Sequence, residues 1–209
     1  AEHGRPAGVR TFALERIEDF FDRIHAPIRT VRRGQVKLRR GAHGMTERRD
    51  GRGDGLIDLE TMASMSGMEV LQKILRGELP TLPIAKTLGF SVTEVEEGRT
   101  VVVSKPGIEH YNVIRTVHAG YTATLLDTCM ACAVFSTLAQ GTGFTTMEFK
   151  ISLLRPITKD TGIVCAEGTI LSRGRRGATA EGRLKDANGK LLAHATTTCL
   201  IFPLETAPS

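Results

Sequence analysis

The chain has no tryptophan, only two tyrosines and only four cysteines in 209 residues. Each shortage removes a class of explanation. Scarce aromatics leave little to stack on bases, and the positive balance that would attract a phosphate backbone is confined to one end. Residues 1–44 hold ten Lys or Arg against five Asp or Glu, so the remaining eighteen of each sign leave residues 45–209 neutral. A nucleic-acid role would therefore fall to the basic arm at 1–44, and none is expected of the folded part. Cys129, Cys132, Cys165 and Cys199 fall in an apolar helix and in strand-like runs, as small core residues of a reducing, cytoplasmic compartment do. Cys129-Met-Ala-Cys132 has no second pair at metal spacing, so no metal site is expected. No apolar leader core is visible, and acidic residues between 15 and 22 argue against a transit peptide.

Long apolar runs are equally scarce. The one candidate, residues 118–139, carries Asp127 near its middle, which argues against a membrane span and makes this residue the most informative in the chain. The segment has good helix formers, no proline, and apolar residues on almost every face. A carboxylate there is costly to bury. Asp127 also lies nine residues after His118, too deep to cap the helix N-terminus. The plain alternative is a narrow wet stripe of Thr124, Asp127 and Thr128.

Punctuation along the chain gives the organisation. Leu14, Ile17, Phe20, Phe21 and Ile24 share one helical face within residues 12–24, and an Arg/Gly-rich stretch follows. Residues 1–55 thus read as a basic, largely disordered extension with an amphipathic helix at 12–24, lying mostly ahead of Met45. Residues 56–79 read as leading helices, among them 67–76, which begins at the capping box Ser66-Gly-Met-Glu69 with Met65 and Val70 as staple and ends at Gly77. An extended lead-in at 79–83 precedes strands at 88–95 and 99–105. The long helix occupies 118–139. The period then changes to two: Met147, Phe149, Ile151 and Leu153 alternate with polar residues up to Pro156, the pattern of a half-buried strand. Runs at 162–172, 177–186 and 190–202 complete a meander. This order predicts an α+β fold in which an antiparallel sheet wraps one long central helix. One six-stranded layer cannot hide that helix completely, so a partner subunit is expected.

His110-Tyr-Asn112, His118-Ala-Gly120, Leu125-Leu-Asp127 and Thr146-Met-Glu-Phe-Lys-Ile-Ser-Leu-Leu-Arg-Pro156 together resemble the hotdog-fold acyl-CoA thioesterases of the phenylacetate-degradation type, over roughly residues 80–202 and weakly over the helix at 58–77, which implies a hotdog domain at 80–205. The resemblance implies a hotdog subunit, a homodimer or homotetramer with active sites at the subunit interface, and hydrolysis of an acyl-CoA without metal or organic cofactor. It implies that Asp127 activates water or itself attacks the carbonyl, and that Thr146 stands beside it. Strand parity instead favours Thr145 unless a bulge intervenes. Backbone N–H groups of Ala119 and Gly120, at a helix start, suit an oxyanion. Asn112 can orient the carbonyl or the water, or serve as a turn residue. His118 can position the thioester or be structural. Arg173, Arg175 and Arg176 match a turn where basic residues approach the CoA phosphates, and otherwise form a solvated basic turn.

Two departures stand out. Arg115 occupies a position where glycine is common, and Ala119 replaces the first glycine of His-Gly-Gly. A helix N1 residue needs no positive φ, so alanine is expected to be tolerated. Tyr121, Met130 and Met147 are candidate pocket residues. A protein that binds acyl-CoA without cleaving it, and a hotdog hydratase or dehydratase built on His118 and Asp127, are the rival readings. The acyl group, dimer against tetramer, and base against nucleophile for Asp127 stay open at this level.

Overall fold

The computed structural model describes residues 55–204, so the predicted helix at 12–24 and the Arg/Gly-rich stretch lie outside the described residues. Three short helices lead: α1 (Leu59–Ala63), α2 (Gly67–Leu75) and α3 (Pro83–Leu88). The capping box of α2 is present in full. Ser66 accepts from the Glu69 amide and the Glu69 carboxylate accepts from the Ser66 amide, which settles two amides a helix start leaves orphaned. Helix α3 begins at the last residue of the extended lead-in expected at 79–83 and fills a stretch for which the sequence predicted no element. Pro83 suits the first helical turn, where its missing N–H costs nothing, and Gly89 ends the helix in the left-handed region at φ 64°.

Strands β1 (Phe90–Glu96) and β2 (Arg99–Ser104) form a hairpin. The long helix α4 (Ala119–Phe135) follows, then β3 (Thr142–Leu153), β4 (Val164–Arg173), β5 (Gly177–Asp186) and β6 (Leu191–Pro203). All pair antiparallel in one six-stranded sheet ordered β1-β2-β4-β5-β6-β3, the predicted architecture of a sheet wrapped on one helix. No described helix is long and apolar enough to cross a membrane.

The core is the interface between α4 and the concave sheet face. Leu125, Leu126, Cys129, Met130, Ala133 and Val134 are at most 1% exposed, and Val102, Ala166, Ala180, Leu184 and Cys199 meet them from the strands. Close seating depends on missing side chains. A Cβ on Gly168 of β4 would stand 2.3 Å from the Cys129 carbonyl oxygen, and one on Gly182 of β5 would stand 3.0 Å from Met130 Cγ. The sheet covers α4 on most sides but leaves one stripe open. Gly120 is exposed and Thr124, Asp127 and Ala131 are half-buried, at the i, i+4, i+7, i+11 spacing of a single helical face. Thr128, read into that stripe from sequence, is buried instead.

Strand β3 differs from its sequence reading. Its pairing with β6 shifts register between Thr146 and Glu148, so Met147 is an extra, bulged residue, 64% exposed. Before the bulge, Phe144 and Thr146 lie opposite Ile201 and Cys199; after it, Phe149, Ile151 and Leu153 lie opposite Thr197, Ala195 and Ala193. These partners on β6 are all buried against the helix. The helix-facing parity therefore flips from even to odd at Met147. Phe149 and Leu153 nevertheless remain exposed, because β3 is an edge of the sheet and only Ile151 of the predicted apolar face is half-buried.

Candidate active site

The start of α4 is held by its preceding loop. The Asn112 side-chain oxygen accepts from the Ile114 and Thr116 amides at 3.1 Å, and its amide donates to Thr116 Oγ1 at 2.9 Å. Asn112 thus performs the turn role. The His118 amide bonds the His110 carbonyl and the Val117 amide bonds that of Ile157, both at 2.8 Å. The His110 ring packs 4.2 Å from that of Tyr121, whose hydroxyl shares a hydrogen bond with Ser104 Oγ. Burial pushes the Tyr121 hydroxyl up to about 12, so it stays protonated. Tyr121 and Met130 are buried core residues, which leaves Met147 as the accessible member of the three pocket candidates.

His118 is the N-cap of α4, and its Nδ1 accepts from the Gly120 amide at 2.9 Å. One of the two amides read from sequence as free donors is therefore engaged. The Ala119 amide meets no acceptor among the described residues. With Nδ1 accepting, the neutral imidazole carries its proton on Nε2, so His118 presents a side-chain donor at the same helix start. His118, Ala119 and Gly120 are all exposed. Beside them opens a cleft of about 320 Å³ whose lining includes Asn112, Ala119, Thr122, Leu153, Ile157 and Leu192. Arg115, in the loop above, is the one non-glycine with positive φ among the described residues, at 65°.

Asp127 stands two helical turns further on. Burial raises its carboxyl above the ordinary carboxylate range, and the hydrogen bond from Thr146 Oγ1 to Oδ1, at 3.0 Å, partly offsets this. The bulge explains why Thr146 and not the exposed Thr145 reaches the acid: it flips parity one residue later, leaving Thr146 on the helix side. Cys199, opposite Thr146 and fully buried, is a member of this cluster that sequence reasoning took only as core. All four cysteines are free, and burial pushes their thiols up, that of Cys132 to about 12.

Ala119 and Asp127 are eight residues apart on one straight helix, about 12 Å along its axis, too far for both to touch one carbonyl group. The structure brings Asp127 and Thr146 together in the first half of β3, and Asn112 and Ala119 together beside Leu153 at its last residue. Arg173, Arg175 and Arg176 are exposed on the β4–β5 turn. The Arg176 carbonyl accepts from the Ile201 amide, and Gly177 pairs with Leu200, itself the partner of Thr145, so the turn belongs to the Asp127 end. Among the described residues no three His, Cys, Asp or Glu side chains converge as metal ligands.

A family model described as the thioesterase superfamily matches residues 115–193. Solved structures share the fold. A candidate thioesterase of Ralstonia eutropha, a phenylacetic acid degradation-related protein, is 30% identical with a TM-score of 0.57, and the match covers 62% of this chain and 98% of that one. The PaaI protein of the Escherichia coli phenylacetic acid degradation operon is 20% identical at 0.57, covering 66% and 96%. A Streptococcus mutans protein solved with acetyl CoA is 21% identical at 0.51, covering 56% and 91%. No curated protein matches significantly. With its six-stranded sheet on one helix and a 30% identical relative matched over nearly its whole length, the chain belongs to the thioesterase superfamily, as a hotdog-fold protein like those of phenylacetic acid degradation.

Proposed function

We propose that this protein hydrolyses an acyl-CoA thioester to the free acid and CoA, at a site completed by two subunits. The observation that carries the reading is the half-buried Asp127 carboxylate, held by Thr146 on the one stripe of α4 that the sheet leaves open. A carboxylate whose protonated form is favoured by burial is a stronger base than a solvated one, suited to take a proton from water. The attacked carbonyl develops negative charge on oxygen, which the Ala119 amide and His118 Nε2–H of the partner's helix start would receive. One such donor is worth about 3 kcal/mol in known cases. The tetrahedral intermediate collapses with loss of CoA thiolate, to which Asp127 returns the proton. Arg173, Arg175 and Arg176, at the Asp127 end, offer forked donors to the CoA phosphates.

The same geometry supports a homodimer. β3 is a twelve-residue edge strand with Met147, Phe149 and Leu153 exposed. An unpaired edge of this length invites a second strand. Two copies paired antiparallel along β3 would bring the helix start of each, beside Leu153, to the Asp127 end of the other. The acetyl-CoA complex of the Streptococcus mutans protein supports only the capacity of this fold to hold such a ligand.

The test is a panel of acyl-CoAs, aliphatic and aromatic, with a free-thiol reagent. Release of CoA that Asp127→Ala abolishes is the expected result; no release above that variant's background from any member would overturn the reading. A binding protein without hydrolase activity draws support from the cap on Gly120, which removes one oxyanion donor. Saturable acyl-CoA binding with no CoA release would select it.

A further inference from the structure

Beside Thr146 stands a buried thiol with no part in the proposed hydrolysis. Cys199 lies directly across the β3–β6 ladder from Thr146, on the helix-facing side, and is 0% exposed. Directly opposed residues bring their Cβ atoms to about 4.5–5.5 Å, close enough for thiol and hydroxyl to touch. Two residues along β6, Thr197 flanks Cys199 on the same face.

Proton bookkeeping gives the thiol its role. Thr146 has one hydroxyl proton, and it goes to Asp127 Oδ1. A bond from hydroxyl to carboxylate is charge-assisted and outcompetes one to a neutral sulfur. Thr197 has one proton too, and it goes to the Glu148 carbonyl at 2.8 Å. Both threonine oxygens then have lone pairs only. Between them sits a thiol that burial pushes up, with both threonine side chains near enough to act on it. S–H is a weak donor, but it is the donor this pocket has left.

We propose that Cys199 is a positioning residue, donating its S–H to Thr146 Oγ and so fixing the hydroxyl proton on Asp127 Oδ1, with Oδ2 left for the substrate water. The bulge at Met147 is part of the device, since it keeps Thr146 opposite Cys199 while β3 beyond it changes parity. This rests on the catalytic reading of Asp127. The Asp127 charge is felt at the thiols of Cys129 and Cys132 on its own helix and of Cys199 on β6; burial shifts all three upward, so none of them titrates in the acidic range, and the influences on Asp127 itself are burial and the Thr146 hydrogen bond.

The experiment measures Asp127 twice in the full-length protein: by the acid limb of the kcat/KM profile, and by its side-chain carboxyl ¹³C shift against pH, which needs no turnover. Cys199→Val is expected to move both to higher pH and to lower kcat roughly three- to tenfold with little change in KM, as a freed hydroxyl holds the carboxylate less well. Cys199→Ser, which keeps a donor, is expected to restore both. Thr146→Val is expected to shift them at least as far, and Cys199→Val added to it to do nothing more. Overturning results are an unmoved Asp127 titration in Cys199→Val, or an equal effect of that substitution with and without Thr146. If no acyl-CoA is cleaved, the carboxyl shifts still decide between these outcomes, so failure of the hydrolase reading and failure of the relay are separate. If Cys199→Val does not fold, Cys199→Ala gives the same comparison.

Discussion

Thr146 Oγ1 donates to Asp127 Oδ1 at 3.0 Å across nineteen residues of sequence, the bond that fastens the edge strand β3 to the open stripe of α4. It opposes burial, which favours the protonated acid. Because the folded carboxyl is raised, its ionisation costs stability: the cost is absent below the ordinary value of 3.8, where folded and unfolded chains are both protonated, and complete above the raised value. Asp127→Asn removes the charge and keeps an acceptor for Thr146. It is expected to abolish hydrolysis while raising the Tm at pH 7 above that of the parent. The gain should shrink to nothing as the pH falls toward the ordinary carboxyl value. Thermal scans across that range check it, and a variant less stable than the parent at pH 7 contradicts the argument.

Separation of Asp127 from the helix start makes a prediction about assembly. Ala119→Pro deletes only the amide proton, and proline suits the first helical turn, so the helix should survive while the oxyanion loses its backbone donor. Asp127→Asn and Ala119→Pro should each be inactive alone. Denatured together in equal amounts and refolded, they should regain about a quarter of parental activity, because half the dimers are mixed and each has one intact site. No recovery from a mixture shown by mass to contain heterodimers would place both groups in one subunit.

The sheet, the central helix and the capping box were legible in the sequence because each is written locally. Alternation marks strands, the apolar run marks α4, and Ser66 with Glu69 marks a helix start. Helix α3 was not, since Pro83 reads equally as the end of an extended run and as the first residue of a helix. The choice between Thr145 and Thr146 was undecidable from one strand: a bulge is a relation between β3 and β6, and nothing around Met147 spells it. Nor could Gly120 be seen to be capped, because histidine is an uncommon N-cap and the cap depends on a side-chain rotamer. Met147, Phe149 and Leu153 looked buried because alternation reports which face is apolar, not whether a single subunit covers it.

Gly168 tests the packing argument. Its added methyl would lie 2.3 Å from a carbonyl oxygen of α4, backbone meeting backbone, with no flexible side chain to yield. Gly168→Ala is expected to cost roughly 1–3 kcal/mol, the range for overpacked cores. Gly141→Ala is a useful contrast, for nothing lies within 4 Å of its added Cβ and its cost should come only from φ 71°. Chemical denaturation of both variants gives the comparison; a Gly168→Ala protein as stable as the parent would mean that helix and sheet are less closely seated than described.

Arg115 carries the opposite sign. At φ 65° its Cβ crowds the backbone, a conformation that costs an L-residue about 1–2 kcal/mol and glycine nothing. The loop imposes it, since Asn112 fixes the Ile114 and Thr116 amides on either side and the Arg115 amide itself bonds the Asn112 carbonyl at 3.2 Å. Arg115→Gly removes that strain but gives the unfolded chain more freedom, a loss of about 0.4–1 kcal/mol. The net expectation is a gain of up to about 1.5 kcal/mol, read as a rise in Tm. The guanidinium is exposed beside the cleft wall formed by Ile114 and Thr116, so the same variant has a kinetic readout. If the side chain only decorates the loop, kcat and KM stay unchanged as stability rises. A higher KM with unchanged kcat would instead mean that the strain is retained because the cation contacts substrate.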